Sequence, residues 1–86
     1  MSRQRSIENI LASEYVSIAE LVRITGVRYS TLKYYTEEGM LPFEQTEENL
    51  TRRFPREIAV KQIERIRNFR TQGLSIPEIK GQLGLN

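Results

Sequence analysis

The chain has 86 residues, of which 38% are hydrophobic and 28% charged, and a net charge of +2, which is enough for one small domain with a modest core and too little for a deep substrate cavity. It contains no cysteine and no histidine, which removes disulfides, thiolate chemistry, the soft metal sites and the usual general base. An enzyme, a cofactor and a bound metal are therefore not expected. No apolar run reaches about 18 residues and the basic start Met1–Arg5 leads into no apolar segment, so neither a membrane span nor a signal peptide is expected and the cytoplasm is the default location.

Ser6 suits the cap of a short first helix, with Ile7, Ile10 and Leu11 on one stripe and an end near Tyr15. Ser17-Ile18-Ala19-Glu20 is a capping box, in which hydroxyl and carboxylate satisfy each other's free amides. Ile18, Leu21 and Val22 follow as an apolar stripe, and Gly26 stops this helix. The next helix spans about 29–38, with Leu32 and Tyr35 inward and Gly39 at its end. Two short helices joined by a tight glycine-containing turn form the helix-turn-helix unit, which by itself is a weak signal because plain packing produces it too.

Met40-Leu41-Pro42-Phe43 reads as an extended segment, Glu44 to Asn49 as a polar turn and Leu50 to Phe54 as a returning strand, together a hairpin of wing size carrying Arg52 and Arg53. Pro55 fits the first position of a long helix, where its missing amide has no cost. That helix should run to about Gln72 and bury Val60, Ile63, Ile66 or the stem of Arg67, and Phe69. Gly73 ends it. Ser75-Ile76-Pro77-Glu78 is a second capping box and opens a last helix with Ile76, Ile79 and Leu83 inward and Gly84 as its stop.

Charge is segregated along this order. Residues 52–70 hold Arg52, Arg53, Arg56, Lys61, Arg65, Arg67 and Arg70 against only Glu57 and Glu64. Residues 23–35 hold Arg23, Arg28 and Lys33 with no acid, whereas 37–48 is acidic. Such segregation builds a basic face of the kind that meets a polyanion, although solvated helices carry charge as well.

Ile24-Thr25-Gly26-Val27, Thr31-Leu32-Lys33-Tyr34-Tyr35, Glu38-Gly39-Met40-Leu41-Pro42, Asn49, Arg52-Arg53-Phe54 and Gly73-Leu74-Ser75-Ile76-Pro77-Glu78-Ile79 occur in an order and at intervals that resemble the DNA-binding domain of MerR-family transcription regulators. The resemblance implies a mainly α, winged helix-turn-helix fold, with a small two-stranded β wing and two further helices, to which the Ser6-capped helix read from the residues adds an N-terminal helix outside the family pattern. Residues 16–86 would form this domain and 1–15 an extension, which could buttress the fold, make a dimer contact or act as an arm using Arg3 and Arg5.

A recognition helix offers its N-terminal residues to base edges, here Arg28, Ser30, Lys33 and the more ambiguous Tyr29. Lys33 stands where the family usually has arginine; it keeps the charge without the planar fork and so suits phosphate or single-point contact. Tyr35, three residues beyond Leu32, belongs to the core, whereas Tyr34 lies on the other face with a hydroxyl that the resemblance directs to a phosphate. The resemblance assigns the position of Arg52 and Arg53 to the backbone phosphates of the flanking minor groove, with Arg52 slightly ahead, and Arg23 and Arg56 read as weaker candidates for phosphate contacts. Lys61, Arg65, Arg67 and Arg70 read as a solvated helix face.

Departures from the family pattern also set expectations. Leu50-Thr51 replaces the usual Gly-Tyr of the wing, Gln45 to Glu48 make its tip acidic, Pro55 replaces a Ser or Thr cap, and Arg28 replaces a capping serine. Members of the family continue into a coiled coil and an effector domain, and this sequence stops at Asn86. The function expected is sequence-specific binding of double-stranded DNA by a small, nucleoid-associated transcriptional regulator with no small-molecule effector and with self-association possible on DNA. Two alternatives stand beside it: an architectural, excisionase-like DNA-binding factor, and a protein-interaction module that keeps the fold.

Overall fold

Serine side chains fix where three of the five helices begin. In the computed structural model, which describes residues 5–45, 47 and 51–85, Ser6 accepts from the Asn9 amide and opens α1, Ile7–Ala12. Ser17 and Glu20 form the reciprocal capping box of α2, Ile18–Thr25, and Ser75 and Glu78 that of α5, Ile76–Gln82. Gly26 ends α2 with φ 74°, a left-handed conformation that costs other residues about 1–2 kcal/mol. α3, Tyr29–Glu37, follows after this turn. The long helix α4 covers Arg56–Thr71.

Two strands complete the order. β1, Tyr15–Val16, precedes α2, and β2, Phe54–Pro55, precedes α4. They pair antiparallel, Tyr15 with Pro55 and Val16 with Phe54. This pairing corrects the simple hairpin expected from sequence: the regular two-stranded sheet joins the returning strand to the segment before the helix-turn-helix. The wing itself shows one bridge among the described residues, Glu44 with Arg53. Asn49 and Leu50, expected in its turn and returning strand, lie outside the described residues, as do Arg3 and the tip residues Thr46 and Glu48.

Pro55 also differs from expectation. It ends β2 and occupies the position that caps α4, with φ −64° and ψ 113°, and the helix starts at Arg56. Its fixed φ suits this extended residue as well as a first helical turn. α1 is shorter than expected. It stops at Ala12, and only Ile10 of its apolar stripe is buried, while Ile7 and Leu11 remain exposed.

One core holds the elements together. Ile10 from α1, Val16, Leu21, Leu32, Tyr35, Met40, Leu41, Phe54, Ala59, Ile63, Ile66 and Ile79 form it, with Val22, Val60, Phe69, Ile76 and Leu83 packed around it. Each fully buried aliphatic or aromatic side chain contributes about 1.5–3 kcal/mol. The inward face of α4 is Ala59, Ile63 and Ile66, with Val60 and Phe69 flanking. Its Ala59 was not anticipated, because alanine carries little periodic signal. The architecture is a mainly helical winged helix-turn-helix with an added N-terminal helix.

Candidate nucleic-acid interface

The loop from Gly26 to Arg28 aims α3 outward. Leu32, Tyr35 and Thr36 bury one side of this helix, so Tyr29, Ser30, Lys33 and Tyr34 lie on the side that faces water. Thr36 satisfies its buried hydroxyl by donating to the Leu32 carbonyl at 2.8 Å. Arg28 sits at the cap position without a side-chain capping bond, which leaves its guanidinium exposed beside the first turn. Tyr29 and Tyr34 are 53% and 44% exposed against 7% for Tyr35, which separates the adjacent tyrosines as their helical spacing requires. The Tyr34 and Tyr35 rings remain in tilted contact, with centroids 6.2 Å apart.

The wing arginines are oriented by aromatic rings. The Arg52 guanidinium lies 4.8 Å over the Phe43 ring, and Phe43 contacts the fully buried Phe54 at 6.0 Å, so the side chain is anchored through one aromatic to the core. Arg53 turns to the other side of the strand and lies 5.9 Å over the Tyr15 ring. Phe43 was given no role by the sequence, although an aromatic directly after Pro42 in a wing was a usable signal.

Tyr29 and Lys33 of α3 and Arg52 of the wing line one cleft of about 290 Å³, together with Gln45, Thr51 and Phe54. Ser30 and Tyr34 line a second recess on α3, which Arg70 of α4 shares. Arg70, exposed as a solvated helix face expects, is also brought beside the exposed side of α3. Sequence reading missed it because it lies far from α3 along the chain. Arg28, Lys33, Arg52, Arg53 and Arg70 form no ion pair among the described residues.

Other cations have structural partners. Arg5 donates from Nε and Nη2 to both oxygens of Glu20, each at 2.7 Å, and from Nη1 to the Ser13 hydroxyl at 2.6 Å. These bonds hold α1 against α2. The Arg5 guanidinium, with the Ser17 amide, lowers the Glu20 carboxyl to about 2. Arg23 donates from Nη1 to the Arg5 carbonyl. Arg56 donates from Nε to the Ser13 carbonyl at 2.8 Å, and its amide donates to the Glu14 carbonyl at 2.9 Å, so it fastens the start of α4 to the turn before β1. Arg67 is exposed, as its reading on a solvated helix face expects, and also donates to the Thr25 carbonyl at 3.2 Å, which ties α4 to the end of α2. Lys80 pairs with Glu38 at 3.2 Å and joins α5 to the end of α3.

The family model for MerR HTH family regulatory proteins matches residues 16–84. The chain belongs to the MerR family. Members of the MerR family are DNA-binding transcription regulators, and DNA-binding transcription regulation is the activity this membership implies. The MerR-type match begins at Val16, directly after Tyr15, so α1 lies before it. No curated protein and no solved structure matches the chain. Among the described residues no helix is long and apolar enough to cross a membrane.

Proposed function

We propose that this MerR-family domain binds a specific double-stranded DNA site, with α3 in the major groove and the wing against the neighbouring backbone. The observation that carries the reading is the cleft shared by Tyr29, Lys33 and Arg52, which sets the exposed side of the recognition helix and the wing on one surface. Arg28, Tyr29, Ser30 and Lys33 face base edges or their flanking phosphates. Tyr34 with Arg70, and Arg52 with Arg53, hold phosphates on the two sides of α3. Phosphate contacts fix register while base contacts carry sequence information, so the discrimination falls to the first turns of α3. Arg23 and Arg56, with hydrogen bonds of their own inside the fold, contribute less.

The test is fluorescence anisotropy on a pool of promoter duplexes at several salt concentrations. Saturable binding whose log affinity falls linearly with the logarithm of salt concentration, with a slope of about 0.9 per phosphate neutralised, is expected, and with about six contacts a rise from about 50 to 200 mM salt costs roughly a thousandfold. Selection of a shared sequence from the pool establishes specificity. A folded protein that binds no duplex even at low salt overturns the proposal and directs attention to a protein partner.

A further inference from the structure

The wing is closed by the residue pair Glu44 and Arg53, which exchange backbone hydrogen bonds of 2.7 and 2.9 Å. A two-stranded ribbon with so little pairing is marginal unless tertiary contacts support it. Tyr15 supplies that support to both sides of the ribbon. Its hydroxyl donates to Glu44 Oε2 at 2.5 Å, and its ring lies beneath the Arg53 guanidinium. Tyr15 is itself fixed, through its pairing with Pro55 and through Arg5 Nη2, which donates to its carbonyl at 3.4 Å. The hydrogen bond also holds a carboxylate to β1 at the edge of a surface meant for a polyanion.

We propose that Tyr15 is a positioning residue of the DNA interface: by gripping Glu44 with its hydroxyl and Arg53 with its ring, it holds the wing, and with it Arg52, against the α3 cleft. The proposal rests on the DNA reading above. It assigns a role in binding to a residue just outside the family-matched region.

Tyr15→Phe removes the hydroxyl and leaves the ring and the β1–β2 pairing in place. Hydrogen exchange followed by NMR tests the clasp without DNA. The Glu44 and Arg53 amides are expected to exchange faster in the variant while the β1–β2 amides keep their protection. Duplex affinity should fall about three- to tenfold, the range of one ordinary hydrogen bond. The salt slope should stay unchanged, since no phosphate contact is lost. Glu44→Gln, whose amide oxygen still accepts, should keep wild-type exchange, and Tyr15→Phe with Glu44→Ala should be no weaker than the weaker single variant.

Unchanged exchange at Glu44 and Arg53 overturns the clasp. Faster exchange with unchanged affinity overturns its role in binding. A wild-type protein that binds no duplex overturns the DNA reading and the binding role together, and the exchange result then separates that failure from a failure of the clasp.

Discussion

Tyr34 and Tyr35 are neighbours with opposite tasks, and the difference is measurable. Tyr35→Ala empties a core site and should cost about 3–5 kcal/mol in chemical denaturation. Tyr34→Phe keeps the ring contact with Tyr35, should leave stability within about 0.5 kcal/mol of wild type, and should weaken duplex binding through its lost hydroxyl. Their separation was legible because a three-residue step from Leu32 keeps Tyr35 on the buried side. Arg5 was not legible. The sequence left open whether its segment buttresses the fold, makes a dimer contact or acts as an arm, and only the folded chain brings Arg5 to Glu20, 15 residues away. Because Glu20 is held at about 2, below the usual glutamate range, the folded state binds this proton less readily than the unfolded chain does. The pair's contribution is therefore complete above about pH 5 and is lost as pH falls toward 2. Glu78, lowered by hydrogen bonds from Ser75, acts in the same direction. Thermal melts across this window should show stability declining with acid, and Arg5→Ala should flatten part of that decline.

Helices and strands differ in how much of their own position they encode. The capping boxes of α2 and α5 lie within four consecutive residues, so their starts follow from local chemistry. Ser17→Ala should cost about 0.5–2 kcal/mol of unfolding free energy in urea titrations, and Ser75→Ala a similar amount. Gly26→Ala meets no atom within 4 Å, so its expected cost of about 1–2 kcal/mol is that of the left-handed backbone alone. β1 carries no such signature. Two residues are too few to show an alternating pattern, and their partner lies at the far end of the wing. The same distance explains Pro55: its sequence neighbours suggested a helix start, whereas pairing with Tyr15 draws it into the sheet.

At the scale of the molecule, α4 is the spine on which both halves of the candidate interface are set. Its Ala59, Ile63 and Ile66 pack the core, Arg67 grips the end of α2, and Arg70 emerges beside Ser30 and Tyr34. The exposed side of α3, with Tyr29, Ser30, Lys33 and Tyr34, was legible because these residues share one helix. Phe43 and Arg70 were not, since their relevance arises only when α3, α4 and the wing meet. With a longest dimension of 41 Å, one copy is little longer than a turn of B-DNA, which is about 34–36 Å. Hydroxyl-radical footprinting at low protein concentration should therefore show protection confined to about one helical turn. Arg70→Ala should lower the salt slope by about one and weaken all sequences alike, whereas Arg28→Ala should relax specificity. The bond from Arg56 to Ser13 spans 43 residues. During synthesis, α2 and α3 can close on each other as soon as they are made, but β1 must wait for the chain to reach β2. The reading helix is thus expected to be in place before the wing is seated, and a nascent chain stalled before Phe54 should present the first without the second.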